Sequence, residues 1–173
     1  MKDGHHNTAV CQCGRTAIEL SGEPILSVIC HCRSCRTAAV EFEQAQGAPR
    51  VLDAEGGVDY CLYRKDRVKI VRGAEHLREH RLKPTSPTRR MVAACCNSPM
   101  FLDFTKGHWL TVFRDRLTGE APAPQMRVMA KDRAQGVVLS DAIATYDTHP
   151  AGAMGRLLAA WAAMGFRRPA VGC

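Results

Sequence analysis

The sequence predicts a mainly β protein of short antiparallel sheets, with one short helix after its second cysteine cluster and another near its C-terminus. Three observations predict this. Apolar and polar residues alternate over several short segments, a period of two that places one face of a strand against a core. Turn-forming residues punctuate those segments closely. Helical spacing appears in two places only.

In chain order, residues 16–20 and 25–29 are apolar-rich runs separated by Ser-Gly-Glu-Pro, a turn signal. Val58, Tyr60 and Leu62 then alternate, followed by a polar Arg-Lys-Asp turn and by Val68 and Ile70. Met100, Leu102 and Phe104 form a further alternating set, as do Trp109, Thr111 and Phe113 against Leu110 and Val112. Ser34 is positioned to cap a short helix over residues 36–46, which Gly47 would stop. Met154, Leu157, Leu158, Trp161 and Met164 recur at helical spacing, so a helix is expected over about 151–164, docked on the sheet as a lid. Residues 118–124 (TGEAPAP) read as a loop, and residues 125–150 show neither period.

At 173 residues the chain is expected to be a single domain, large enough to bury a core without staples. The start, MKDGHHNTAV, has no apolar core segment of a signal peptide. The longest apolar run, residues 157–166, is too short to span a bilayer and is flanked by Arg156 and Arg167. A cytoplasmic chain with no membrane partner is therefore expected, and there thiols stay reduced. The formal charge of +7 comes from bases interleaved with acids, as in RKDR and HLREHR, which is how a solvated sheet face reads. With 6% aromatic residues and no basic recognition helix, a nucleic-acid partner is not expected.

Nine cysteines are too many for such a chain to carry as inert core. Cys11 and Cys13 form C-x-C-G; Cys30, Cys32 and Cys35 form C-x-C-x-x-C; Cys95 and Cys96 are adjacent. Thiols one or two residues apart on a turn can face one ion, and a following glycine such as Gly14 tolerates the backbone this needs. Three clusters at strand ends point to zinc. Cys61, in mid-strand, reads as a small core residue, and Cys173 as a frayed end. None of the histidines is expected to be a ligand. His5 and His6 fall in a tail, His31 between two cysteines with its ring turned away, His76 and His80 in a polar strand, and His108 and His149 in turns.

Together these motifs resemble the glutathione-dependent formaldehyde-activating enzyme family, which includes centromere-protein-V-like proteins. That family shows C-x-C-G, then C-x-C-x-x-C-R, then R-x-x-C-x-x-C-G-[ST]-P. Here the counterparts are Cys11-Gln-Cys13-Gly14, Cys30-His-Cys32-Arg-Ser-Cys35-Arg36, and the stretch from Arg89-Arg90 to Cys95-Cys96-Asn97-Ser98-Pro99. The similarity covers roughly residues 8–114. The third motif departs from the pattern: Cys96 matches the second cysteine, Ala93 stands where the first would be, Asn97 replaces the glycine, and Cys95 is an extra thiol.

The resemblance implies a β-tent fold and two zinc ions per chain. One would be structural, joining Cys11 and Cys13 to Cys96 with Cys95. The other would be held by Cys30, Cys32 and Cys35, with a fourth position left for water or a substrate thiol. Three protein ligands and an exchangeable position is the arrangement of catalytic zinc, whereas closed four-ligand sites are structural. Three thiolates leave the centre at net −1, a weak Lewis acid better suited to holding a soft ligand. Arg33, Arg36 and Arg90 adjoin the motifs and could offset that charge or grip the carboxylates of a peptide-like thiol.

The function expected is a carbon–sulfur lyase or synthase, in which a small thiol such as glutathione adds reversibly to an aldehyde such as formaldehyde. No serine–histidine–acid set or carboxylate pair stands out as a rival, and no catalytic acid or base can be named. The alternative is a non-catalytic zinc module for a protein or nucleic-acid partner. A third arrangement has Cys95 closing the three-thiol site and both ions structural.

Overall fold

The protein, analysed as a computed structural model that describes residues 6–172, has eleven strands and two helices among those residues. The strands are β1 (His6–Val10), β2 (Ala17–Ser21), β3 (Leu26–Cys30), β4 (Val58–Arg64), β5 (Val68–Arg72), β6 (Leu77–His80), β7 (Thr88–Ala93), β8 (Ser98–Phe104), β9 (Trp109–Phe113), β10 (Met126–Val128) and β11 (Ala144–Thr145). The helices are α1 (Arg33–Glu43) and α2 (Ala151–Ala163). The expected mainly β fold with two helices is what forms.

β1, β2 and β5 make a small antiparallel sheet; the other eight strands make a mixed sheet in the order β11-β10-β3-β4-β9-β8-β7-β6. Alternation sorts the large sheet into two faces. Val58, Tyr60 and Leu62 of β4 pack with α1, α2 and Phe113. Cys61 and Tyr63 of the same strand pack with Leu110 and Val112 of β9 and with Ala9, Ile18 and Leu20 of the small sheet. The large sheet is thus covered by helices on one side and by the small sheet on the other, and each side carries its own apolar core.

Several expectations are corrected in detail. His6 opens β1, paired to Ser21, and so belongs to the sheet; His5 and Cys173 lie outside the described residues. The Arg-Lys-Asp turn is a corner through which the chain leaves the large sheet at β4 and enters the small one at β5. Its Lys65 is buried, not solvated, because it pairs with buried Asp103 at 2.7 Å. In β8, a register shift leaves Met100 unpaired between Pro99 and Phe101, so it joins the small-sheet core, away from Leu102. The stretch at 125–150 supplies β10 and β11, which run parallel to β3 and extend the large sheet.

α1 starts three residues before the expected position. Its cap is Cys32, not Ser34: the Cys32 sulfur accepts the Cys35 N–H at 3.4 Å, replacing the usual oxygen. Cys35, Ala38, Ala39 and Phe42 form its buried stripe, and Gly47, at φ 72°, turns the chain away. α2 matches its expected span, but Met154 and Leu158 stay exposed; the buried residues are Ala153 and Leu157, continued by Met164 just past the helix.

Candidate metal centres and the cavity above one of them

Cys11 follows β1 and Cys13 sits in the β1–β2 turn, where Gly14 at φ 78° lets the backbone fold back so that its N–H meets the Cys11 carbonyl at 2.9 Å. Cys95 and Cys96 lie in the β7–β8 turn, and Asn97 there has φ 53°, a left-handed conformation that asparagine tolerates. Ser98 ties the turns together by accepting the Gln12 N–H at 3.0 Å. Four sulfurs thereby converge within 4.8 Å of one another. Cys11 is 3.6 Å from Cys13 and 3.8 Å from Cys95, Cys13 is 3.3 Å from Cys95, and Cys95 is 3.9 Å from Cys96. A tetrahedral ion with metal–sulfur bonds of about 2.3 Å needs sulfur–sulfur edges of about 3.8 Å, so this cluster fits one.

Titration in the cluster is uneven. Burial opposes ionisation of Cys11, but the Thr16 amide and the Cys13 thiol outweigh it and hold Cys11 below the ordinary thiol range. Burial likewise opposes ionisation of Cys96, yet the Ser98 hydroxyl and the Cys13 amide bring it down to about 6. Burial, then the Cys13 and Cys11 contacts, push Cys95 up to about 12. Thiolates and thiols share protons here that a cation would displace.

Cys30 ends β3, Cys32 caps α1 and Cys35 fills the first turn of that helix, so strand, cap and helix aim three sulfurs at one point within 4.8 Å. No fourth cysteine, histidine or carboxylate joins them among the described residues. Hydrogen bonds from Cys30 and then Cys35 hold Cys32 down to about 2, despite burial; the same contact with Cys32 pushes Cys30 far up. For Cys35 the Cys30 contact favours the thiolate, but the Cys32 contact and burial outweigh it, up to about 11. Buried Tyr60 hydrogen-bonds Cys35, and burial followed by the Cys35 and Cys30 charges keeps its phenol neutral.

Of the three arginines, Arg90 is 2% exposed, forms no ion pair among the described residues, and leaves its Nε unpartnered. It donates from Nη2 to the Ser34 carbonyl at 3.2 Å, in the first turn of α1. A buried guanidinium with no carboxylate beside it is costly unless other anions offset it, and the thiol cluster on the same helix turn is the available source. Arg36 donates to the Asp132 carbonyl at 2.7 Å, and Arg33 is exposed.

Above the three thiols lies a cavity of about 330 Å³. Cys30, Cys32, Cys35 and Tyr60 form part of its lining, and Leu26, Val28, Leu62 and Leu102 line the large sheet beside them. Trp109 and Phe104 add aromatic wall, Val128 closes the β10 side, and Ala153, Met154 and Leu157 of α2 roof it. α2 is held there by His108, whose Nε2 bonds the Leu157 carbonyl at 2.8 Å while its ring stacks on Trp161 at 5.5 Å. None of Arg33, Arg36 and Arg90, the expected carboxylate grips, is among the residues lining this cavity.

Among the described residues no histidine joins either thiol group. His31 is fully buried with both nitrogens unpartnered, its ring against Gly57. His80 pairs with Glu41 at 2.9 Å, His76 sits in a 3₁₀ turn, and His149 reaches the cavity from an exposed loop. Tyr60 and His149 were not singled out by sequence; alternation put Tyr60 on the right face, but nothing signalled that Cys35 would lie opposite.

A protein-family model described as a family of unknown function, DUF6151, matches residues 6–116. The chain belongs to that family. The matched segment contains all seven clustered cysteines; Val128, His149 and α2 lie beyond it. No curated protein matches the chain. A crystal structure of a Rhodobacter sphaeroides protein is similar at 20% identity, over 66% of this chain and 91% of that one, with a TM-score of 0.48. No helix among the described residues is long and apolar enough to cross a membrane.

Proposed function

We propose that this DUF6151 protein holds zinc in both thiol clusters, one to staple its sheets and the other for carbon–sulfur lyase or synthase chemistry on a small thiol and its aldehyde adduct. One observation carries this reading: three convergent sulfurs, with no fourth protein ligand among the described residues, line a cavity able to admit a small molecule. All-sulfur ligation suits zinc among the divalent metals. The motif resemblance to the glutathione-dependent formaldehyde-activating enzymes points to the same reaction class.

Zinc bound there would supply a thiophilic fourth position that favours a thiol in its nucleophilic form. The chain's own residues do the rest. Cys30, Cys32 and Cys35 fix the centre on a strand end and a helix turn, two rigid elements. Arg90 offsets negative charge from beneath, and the neutral Tyr60 hydroxyl donates to Cys35. The apolar walls limit the water that would otherwise hydrate the aldehyde carbonyl. In the forward direction the thiol gives up its proton, its sulfur bonds to the carbonyl carbon, the carbonyl π pair moves to oxygen, and that oxygen takes up a proton, so that none is gained or lost overall. Holding sulfur and aldehyde together provides the acceleration.

The test is metal analysis followed by exchange NMR with labelled formaldehyde and a thiol. We expect about two zinc ions per chain and faster adduct exchange with zinc-loaded protein, lost in Cys32→Ser. No acceleration, with no heat of thiol binding, would remove the reading.

A further inference from the structure

We infer that the thiol taken at the three-cysteine centre carries an apolar alkyl or aryl body, and that a charged peptide thiol such as glutathione is the poorer ligand. This rests on the reading above of that centre as a thiol site. Apart from the cysteines, the polar residues of the cavity lining are Tyr60, Thr88, Thr111 and His149, and no arginine, lysine, aspartate or glutamate lines it. Of the arginines near the motif, Arg36 bonds the Asp132 carbonyl, Arg90 bonds the Ser34 carbonyl in the first turn of α1, and exposed Arg33 is not among the lining residues. The carboxylates and ammonium of glutathione would lose water on entering and find no opposite charge to replace it. An apolar body would instead displace water from Leu26, Leu62, Leu102, Phe104, Trp109 and Leu157, with its sulfur toward the cysteines. A cavity of about 330 Å³ is at the small end for organic ligands, large enough for a ring on a short chain. Exposed Met154 on α2 marks the rim, 49% accessible, where such a body would pass.

The experiment uses the full chain loaded with cobalt(II), whose visible bands change when its ligand set changes. It is titrated separately with benzyl mercaptan and with glutathione. We expect both to perturb the bands and benzyl mercaptan to bind at least about tenfold more tightly. Met154→Glu, at an exposed position that leaves the fold and the metal bands intact, should weaken benzyl mercaptan about tenfold and leave glutathione within about twofold. If glutathione binds as tightly as benzyl mercaptan, or the variant weakens neither, the inference is overturned and the thiol site stands. If neither thiol perturbs the bands, the thiol-site reading falls and the inference with it.

Discussion

The two thiol clusters are built from the same atoms, and chain connectivity is what separates them. In the four-thiol cluster Cys11 meets Cys95 across 84 residues, joining the β1–β2 turn of the small sheet to the β7–β8 turn of the large one. In the three-thiol cluster every ligand falls between Cys30 and Cys35, on a strand end and the helix that follows it. Treated as cross-links, closing the long loop removes about 4–5 kcal/mol of unfolded-state entropy and closing the short one only about 2 kcal/mol. On the proposed reading, a distant, saturated cluster would stabilise the fold, and a local, unsaturated one would add little to stability and keep a position free for chemistry.

The largest effect is therefore expected from Cys96→Ser. It should lose one metal per chain and lower the thermal midpoint by about 10 °C or more; an unchanged midpoint would break the staple half of the comparison. Cys32→Ser should lose the other metal and all thiol binding while lowering the midpoint by only about 5 °C, and global unfolding would make both clusters structural. Arg90→Met sharpens the contrast. If Arg90 offsets the three-thiol centre, chelator competition should show metal held there about 10- to 100-fold more weakly, with the four-thiol metal unmoved.

The smallest effect separates acid release of metal from titration of the sheet itself. Burial, only partly opposed by Arg114, pushes the Asp59 carboxyl up to about 6. Its folded value exceeds its unfolded one, so the folded state binds more protons between about pH 4 and pH 6. This contribution therefore falls as pH rises through that window. Asp59→Asn should raise stability at pH 7 by about 1–2 kcal/mol and leave it unchanged at about pH 2, where wild type is protonated in both states. Metal loss runs the opposite way, destabilising as pH falls, so denaturant midpoints of the pair across pH resolve the two.

Strands that alternate strictly were legible in the sequence, because β4 and β9 bury different residues on two faces and their period survives any pairing. Which sheet a strand joins was not. Val68 and Ile70 carry the same pattern whether β5 pairs with β4 or, across the Lys65 corner, with β2. The sulfur cap was missed because capping rules favour oxygen, and Cys32 serves as cap and cluster member at once. Arg90 read as a cation beside the cysteine motifs, but not as a buried one; the pleat of β7 turns it inward beside Val92. The thiol clusters were legible from short spacings, and the vicinal pair fits one ion because Asn97 adopts the left-handed conformation that the turn requires. The cavity was not legible: β3, β4, β8, β9, β10 and α2 all contribute to it, and no local pattern encodes their meeting.

Zinc-edge X-ray absorption on the fully loaded protein tests the unsaturated corner most directly. With one closed site and one open, the average shell should hold about 3.5 sulfurs and about 0.5 lighter atom per zinc, rising to about four sulfurs when an apolar thiol is added. Four sulfurs per zinc before any thiol, or a single zinc per chain, would contradict the account.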